Sequence, residues 1–255
     1  IYMQAKVGSL PSNTNGGTRW LNWLGHLVIK DVELEIGGQA IDKHYGDWMH
    51  IWNELTQRPG LQQGYATMVG NVPRMTMVHS NAETIGITDG ATQDEYHLYV
   101  PLQFWFCRNI GLSLPLIALQ YHEVKIKCTW GATATVGGGI EEAEVWVDYI
   151  YLDTDERRRF AQVSHEYLIE QVQEQTLSNV DGTNDLNFNH PVKELVWGKA
   201  PALADTDTDP SLSHALIEPT ANHKKFLLKL NGHDRFAERD REYFTRQQIY
   251  DHHTG

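Results

Sequence analysis

The sequence contains few of the features that mark a membrane protein, a disulfide-linked domain or a glycoprotein. Its 255 residues include two cysteines, Cys107 and Cys128, each in an apolar stretch. Such cysteines are usually small buried residues in a reducing compartment, although the sequence leaves a disulfide between them open. No run of 18 or more apolar residues occurs, so we predict no transmembrane helix. Asn-x-Ser/Thr sites are absent, which gives no indication of standard N-glycosylation.

Motifs for metal binding, phosphate binding and catalysis are also missing. The sequence has no Cys-x-x-Cys, no His-Glu-x-x-His and no glycine-rich phosphate loop. Histidines beside an acid occur at His122-Glu123, His165-Glu166, His233-Asp234 and Asp251-His252-His253. None of them has a second histidine at metal-site spacing, and adjacent residues on a strand point to opposite faces. We therefore predict no enzymatic activity, no catalytic or metal-binding residue and no cofactor.

Positive charge is scarce. The 33 Asp and Glu residues outnumber 21 Lys and Arg residues, which gives a formal net charge of −12. Proteins that hold nucleic acid need a basic face to displace counterions from the phosphates. We therefore expect no direct nucleic-acid binding and interpret the charge as a contribution to solubility. The length suits one large or two smaller globular domains with a real core.

Alternation of apolar and polar residues predicts an all-β chain. Between His26 and Ile36, Val32 and Leu34 share an apolar face and acidic residues occupy the other, which predicts a half-buried strand. Gly37-Gly38 follows and predicts a two-residue hairpin turn. Further extended segments are predicted at residues 39–44, 98–106, 121–130, 145–151, 167–172, 192–197 and 226–230.

One amphipathic helix and several loops interrupt these strands. Apolar residues recur at helical spacing from Trp48 through Trp52 to Leu55, so residues 45–56 are predicted to form a helix about three turns long. We expect this helix and the loops to be insertions between strands. Polar stretches with little periodicity predict the loops at residues 60–95, 131–140, 178–189 and 200–210.

A pattern in the first half of the chain returns in the second. Residues 34–48, LEIGGQAIDKHYGDW, and residues 228–242, LKLNGHDRFAERDRE, both pass from an apolar strand through a two-residue turn toward a helix. Gly38 and Gly232 are 194 residues apart (232 − 38). A repeat of that length indicates a duplicated domain rather than a solenoid.

The repeat also predicts the domain organisation. Two units of this size need about 388 residues, more than the 255 present. We therefore interpret residues 1–163 as a first unit without its N-terminal strands. Residues 164–255 are interpreted as the start of a second unit without its C-terminal strands.

A densely charged segment lies where the two predicted units meet. Residues 153–159, DTDERRR, place three acids beside Arg157, Arg158 and Arg159. Catalytic carboxylates of a glycosidase must face each other across a cleft, which one short turn cannot supply. We predict instead an ion-pair network that fixes the turn and leaves the arginines available for contacts between subunits.

Three long segments carry a resemblance to one family. They are GGQAIDKHYGDWMHIWNELT (37–56), LYVPLQFWFCRNIGLSLPLIALQYHEVKI (98–126) and AEVWVDYIYLDTDERRRFAQVSHEYLIEQVQ (143–173). Nearly ungapped and in the family's order, they resemble the major capsid protein of the nucleocytoplasmic large DNA viruses. The resemblance implies a double jelly roll: two tandem eight-stranded β-sandwiches, both truncated here, with short helices in the inter-strand loops.

The resemblance further implies a structural role in the virion. It implies a homotrimer of pseudo-hexagonal outline that tiles an icosahedral shell beside neighbouring capsomers. Minor capsid and penton proteins would be further partners, an internal viral membrane is compatible with the family, and assembly would take place in the host cytoplasm. The alternatives are a minor capsid or penton-type jelly roll, a carbohydrate-binding β-sandwich with exposed tryptophans, and a cupin-type enzyme with histidines converging in one barrel.

Candidate site residues follow from these patterns. The resemblance implies contacts between subunits or domains at Trp105, Arg108, Pro115, Arg157, Arg158 and Arg159. We expect four aromatic residues to anchor the core, because large aromatic side chains dominate core energetics: Trp48, Trp52, Phe104 and Trp146.

Overall fold

The computed structural model divides the chain into two compact units. It describes residues 1–9, 20–76, 95–131, 139–177, 182–198 and 225–254. Unit 1 comprises Ile1–His50 and Gln63–Val172, and unit 2 comprises Ile51–Gln62 and Gln173–Gly255. The domain division after residue 163 stays a prediction.

The described residues up to 172 form six strands and several short helices. The strands are β1 (Tyr2–Val7), β2 (Ile29–Ile36), β3 (Gln39–Tyr45), β4 (Tyr96–Pro101), β5 (Val124–Trp130) and β6 (Ile140–Trp146). The helices are α1 (Leu24–Leu27), α2 (Gly46–Thr56), α3 (Pro59–Met68), α4 (Pro73–Thr76), α5 (Trp105–Arg108) and α6 (Thr154–Gln162), with a 3₁₀ turn at Ile110–Leu112.

The described residues after 172 add shorter elements. These are β7 (Lys225–Phe226), β8 (Lys229–Leu230), β9 (His233–Asp234), β10 (Arg239–Asp240), a π-helical segment (Tyr243–Gln248) and α7 (Ile249–His252). β7 pairs with β10, and β8 pairs with β9, both antiparallel.

Two antiparallel three-stranded sheets in unit 1 enclose one core. Their strand orders are β4-β1-β6 and β3-β2-β5. Met3 and Leu98 from the first sheet, with Val32 and Leu34 from the second, are fully buried and belong to the same cluster. The predicted alternation is therefore confirmed over β2, whereas residues 26 and 27 of the predicted strand belong to α1. Each such side chain contributes roughly 1.5–3 kcal/mol to folding through burial.

Charged pairs bridge the strands on the opposite side of each backbone. Lys6 on β1 lies 2.7 Å from Glu95 and 3.1 Å from Glu141 on β6. Lys127 on β5 pairs with Glu35 on β2. The hydrogen bond from Lys127 lowers the pKa of Glu35, and the hydrogen bonds to Glu95 and Glu141 raise the pKa of Lys6. Opposite charges on neighbouring strands stabilise the pairing modestly and in a salt-dependent way.

The same hairpin turn occurs in both halves of the chain. Gly37 and Gly38 have φ of 61° and 84°, and Asn231 and Gly232 have φ of 51° and 79°. Positive φ at both central residues is the type I′ geometry that matches the twist of paired strands. The first turn joins β2 to β3 and the second joins β8 to β9. Each hairpin is followed by a helix, α2 or residues 243–252, as the sequence repeat predicts.

Part of the segment predicted as a surface loop at residues 60–95 belongs to the core. Residues 59–76 contain α3 and α4, and they bury Tyr65, Val69 and Met75. The Tyr65 hydroxyl is hydrogen bonded to His26 Nε2 at 2.7 Å. Burial raises the pKa of Tyr65, which keeps the hydroxyl protonated. Residues 77–94 lie outside the described residues.

The predicted charged turn is the start of a helix. Asp153 is the N-cap of α6, and its carboxylate accepts hydrogen bonds from the backbone N–H groups of Asp155 (3.1 Å) and Glu156 (2.9 Å). Acids in the first turn also interact favourably with the helix dipole. The prediction of a turn was wrong because this helix has no apolar stripe and depends on capping and propensity instead.

Several predicted strands are shorter than expected or absent from the described residues. β6 ends at Trp146, no strand is assigned at 167–172 or 192–197, and the predicted strand at 226–230 is divided into β7 and β8. Side chains replace some of the missing backbone pairing. The Gln173 amide donates to Asn189 O at 3.1 Å and accepts from Asn189 N at 3.0 Å. The Gln173 side chain thus makes the two hydrogen bonds that the backbone N–H and C=O of a paired strand residue would make.

The predicted core anchors occupy different environments. Phe104 is 0% exposed, whereas Trp48 and Trp52 are partly buried. Trp146 is 50% exposed, so the structure does not place it in the core. The reason is that most residues of β6 are exposed on both faces. In α2 the most buried apolar residue is Met49, at 0% exposure.

A buried carboxylate connects two distant parts of unit 1. The Asp42 side chain is 0% exposed and lies 3.0 Å from His44 Nε2. Its Oδ1 accepts hydrogen bonds from the backbone N–H groups of Lys43 (2.9 Å) and Val172 (3.0 Å). The Gln171 amide also donates to the carbonyl of Ile41, next to Asp42. Strand β3 thereby holds the extended segment that follows α6.

Replacing Phe104 should destabilise unit 1 far more than replacing Trp146. Phe104→Ala removes a fully buried ring and should lower the free energy of unfolding by about 3–5 kcal/mol. Trp146→Ala, at a half-exposed site, should cost about 1 kcal/mol. Urea unfolding followed by circular dichroism measures both. Equal losses of unfolding free energy in the two variants would contradict the burial of the Phe104 ring in the core.

Removing the Asp42 carboxylate should release the segment around Val172. Asp42→Ala leaves two partly buried N–H groups without an acceptor and should cost about 2–4 kcal/mol. Hydrogen exchange at the Val172 amide should accelerate in this variant. Asp42→Asn keeps an acceptor oxygen and should recover part of both effects. Asp148→Ala, at a carboxylate that is 90% exposed, is the control and should change neither.

Candidate assembly site

An apolar groove of about 470 Å³ opens on the surface of unit 1. It is formed by the neighbouring ends of β2 and β3, by α5, by residues 114–119 and by residues 161–169. The main apolar lining residues are Ile36, Ile41, Trp105, Leu114, Pro115, Val163, Tyr167 and Ile169. Such a surface is suited to receive side chains of another protein rather than a polar small molecule.

Local sequence explains the first wall of the groove. Pro101 ends β4, and α5 begins after the extended residue Phe104. Phe104 packs inward against His44, with ring centroids 4.4 Å apart. Trp105 therefore turns toward the groove and keeps 5% of its surface exposed. Pro115 begins a turn in which its carbonyl accepts hydrogen bonds from Ala118 N and Leu119 N.

Long-range polar contacts hold the second wall. Arg108 at the end of α5 pairs with Glu170 at 2.8 Å. His165 is hydrogen bonded to the Phe160 carbonyl at 2.8 Å, and its ring stacks on the Phe160 ring. The Tyr167 hydroxyl donates to Ser113 O at 3.4 Å. Together with the Asp42 contact, these bonds position residues 161–169 opposite Trp105.

The three arginines lie on α6, beside the groove but outside its lining. All three are exposed. The predicted ion-pair network is not formed in the described part of the chain: Arg158 lies 3.8 Å from Asp155, and no pair involves Arg157 or Arg159. The acids of this segment instead serve the helix N-terminus, as Asp153 does. The three guanidinium groups are therefore exposed at the surface, on a helix whose first-turn acids are exposed as well.

An exposed acidic and aromatic ribbon runs along β6 and the residues after it. Trp146, Tyr149 and Tyr151 are 50%, 64% and 92% exposed. Glu142 and Glu144 are exposed on the same stretch. Its chemistry, apolar rings among carboxylates, complements an apolar groove beside arginines.

The structure brings some predicted site residues together and adds others. Trp105 and Pro115 line one groove, and Arg108 braces its far wall through Glu170. Sequence reasoning missed Val163, Tyr167 and Ile169 as lining residues. The alternation of Tyr167 and Ile169 was a usable signal, but it was interpreted as a strand.

The titratable residues of the described ranges form no metal centre and present no activated thiol. No group of three or more His, Cys, Asp or Glu residues there is arranged to hold a metal ion. Cys107 and Cys128 are free thiols, and burial raises the pKa of both, which makes them poor nucleophiles. His253 pairs with Glu194 at 2.9 Å. None of the helices described combines the length and apolarity needed to cross a membrane.

Two family models match the chain in succession. The model described as "Major capsid protein N-terminus" matches residues 3–153. The model described as "Large eukaryotic DNA virus major capsid protein" matches residues 156–255. Together they span the groove, the arginine helix and the second hairpin.

Curated relatives carry the same description. The chain is 48% identical over 257 residues to a major capsid protein of Pyramimonas orientalis virus, covering 99% of this chain and 59% of that protein. It is 37% identical over 282 residues to the major capsid protein of Paramecium bursaria Chlorella virus 1, covering 94% and 61%. The chain thus spans about three fifths of these relatives. They are structural proteins, in agreement with the predicted absence of enzymatic activity.

Solved structures show the same architecture. PBCV-1 VP54, in a crystal structure fitted into a cryo-EM reconstruction of the virophage Sputnik, matches with a TM-score of 0.73 and 32% identity, covering 100% of this chain and 67% of that one. A quasi-atomic model of the PBCV-1 virus capsid matches with a TM-score of 0.68 and 32% identity, covering 98% and 66%. The predicted all-β double jelly roll is confirmed by this likeness. The chain belongs to the major capsid protein family of large eukaryotic DNA viruses.

Proposed function

We propose that this chain forms part of the subunit of an icosahedral virus shell. In this proposal, three copies associate into a homotrimer with a pseudo-hexagonal outline, and such trimers tile the shell beside neighbouring capsomers. The work of the protein is structural. Its free energy comes from surface buried between copies and from symmetric closure, not from bond chemistry.

The observation that carries the proposal is the repeated hairpin and helix. Two type I′ turns 194 residues apart (232 − 38), each followed by a helix, support two copies of one unit in each chain. Three chains then supply six similar units. Six similar units arranged in a ring approximate six-fold symmetry with only three identical subunits.

The groove and the arginine helix supply chemistry suited to contacts between copies. An apolar groove lined by Trp105 and Pro115 can bury an aromatic side chain, the type of residue that dominates interface energetics. The exposed guanidinium groups of Arg157, Arg158 and Arg159 can form bidentate bonds with carboxylates at its rim. The acidic and aromatic ribbon of a second copy carries both kinds of partner.

Other parts of the proposal come from the family likeness alone. Minor capsid proteins and penton proteins would be the further protein partners. An internal viral membrane would lie beneath the shell, and assembly would take place in the host cytoplasm. The net charge of −12 supports a shell that encloses DNA without binding its phosphates.

The native mass of the complete encoded protein tests the trimer. Multi-angle light scattering should give three times the monomer mass, and negative-stain images of the same peak should show a six-lobed outline. A protein that stays monomeric at high concentration would overturn the proposal. Glycan binding at the exposed tryptophans would then be the next activity to assay.

Reversing one charge on α6 should weaken assembly without affecting folding. Arg158→Glu changes an exposed residue whose one ion pair spans 3.8 Å, so its unfolding free energy should change by less than about 0.5 kcal/mol. The dissociation constant of the trimer, measured by sedimentation, should rise about tenfold, equivalent to about 1.4 kcal/mol. Arg235→Glu, the same charge change at an exposed site of the second hairpin, is the control. Loss of folding with intact assembly would refute the role given to Arg158.

A further inference from the structure

We propose that the helix end at Tyr250 of one copy docks on the start of α3, at Leu61, of a second copy of this chain. This repeats between copies a contact that the structure already contains inside unit 2. The inference rests on the trimer proposed above and names one of the surfaces that close it.

The contact inside unit 2 joins helices from the two halves of the chain. The Thr254 backbone N–H donates to Leu55 O at 3.3 Å, and the Thr254 hydroxyl donates to Thr56 O at 3.1 Å. Leu55 and Thr56 end α2, the helix after the first hairpin. Thr254 follows α7, the helix after the second hairpin. The end of one repeat's helix is therefore bonded to the residues just after the other repeat's helix.

The sequence repeat predicts a second contact of the same kind, formed between two copies of the chain. An offset of 194 residues (232 − 38) relates Leu55 and Thr56 to Ile249 and Tyr250. The same offset relates Thr254 to Gly60, at the start of α3. If all six sequence repeats of the proposed ring make the observed contact, the helix end at Tyr250 of one copy contacts the start of α3, at Gly60, of the next copy. Both members of this pair lie in unit 2 of their own chain.

The side chains at these two places are exposed and apolar. Tyr250 is 85% exposed, and Leu61, next to Gly60, is 58% exposed. The space beside Gly60 is open, because no atom lies within 4 Å of the position that an added Cβ would take. Tyr250 of one copy can therefore act as an anchor residue that packs into the open space beside Leu61 of the next copy.

Charge complementarity supports a second copy as the occupant. Arg58 lies one helical turn before Leu61 and is exposed. Asp251 follows Tyr250, is exposed and is hydrogen bonded by the Gln247 amide at 2.9 Å. Arg58 beside Leu61 and Asp251 beside Tyr250 therefore carry opposite charges. An ion pair between them can form only when the Leu61 surface of one copy meets the Tyr250 surface of another, which favours a head-to-tail arrangement.

A head-to-tail contact closes only into a ring or continues as a filament. With two similar units in each chain, contacts within a chain alternate with contacts between chains. Three copies then complete six alternating positions. In the proposed trimer this contact is directional, because every copy places Tyr250 against one neighbour and Leu61 against the other.

Two single substitutions and one charge exchange test the contact in the complete encoded protein. Tyr250→Ser and Leu61→Ser should each raise the dissociation constant of the trimer at least tenfold, measured by sedimentation, with an unchanged melting temperature of the dissociated subunit. Tyr121→Ser is the matched control, because Tyr121 is 87% exposed and lies outside the contact. Arg58→Glu and Asp251→Arg should each weaken the trimer, and the double variant should recover most of its affinity.

The outcomes separate this inference from the proposed function. A wild-type monomer would overturn the trimer itself. A wild-type trimer whose dissociation constant is unchanged by Tyr250→Ser and Leu61→Ser would overturn this contact and leave the trimer standing. Weakening by both single charge variants without recovery in the double variant would also count against direct pairing of Arg58 with Asp251.

Discussion

The structure of unit 1 depends on burying one face of each of two sheets in a shared core. β1 and β2 are the central strands of those sheets and are bonded along both edges. A shift of one residue would exchange Leu34 for a glutamate, or Met3 for Tyr2 or Gln4, and would turn the apolar face of the strand away from the core. The helices adapt to this constraint. Gly46 begins α2 where an added Cβ would lie 2.1 Å from the carbonyl oxygen of His26, so only glycine lets the helix start so close to α1.

The sequence predicted the elements that carry a strong local pattern. The alternation that includes Val32 and Leu34, the Gly37-Gly38 turn and the helix at residues 45–56 all lie where expected. The helix face was less well predicted, since Met49 is more buried than Trp48. Periodicity counts apolar residues, whereas the position of α2 is set by the close approach at its first residue. Residues 59–76 and α6 were missed because their helices lack a continuous apolar stripe.

The groove could be predicted only in part, and its geometry shows why. Trp105 and Pro115 belong to one segment, so a single stretch of sequence suggests both. The opposite wall depends on Asp42, whose carboxylate accepts the Val172 N–H across 130 residues of sequence. No local pattern encodes a bond between residues so far apart. A buried acid in a strand was the available sign, because burying a carboxylate is unfavourable unless several donors surround it.

The distribution of charge determines which contacts between copies can be stable. A net charge of −12 makes two copies repel each other at long range, although salt at physiological strength screens this repulsion beyond about 8 Å. In the proposed trimer, association would then depend on short-range contacts that place the scarce cations against carboxylates. Arg58 and the arginines of α6 are exposed cations of this kind, and each lies beside an apolar surface, at Leu61 or at the groove. Because apolar burial supplies affinity and charge selects orientation, a few exposed arginines beside apolar surfaces would favour one arrangement of the proposed trimer over others.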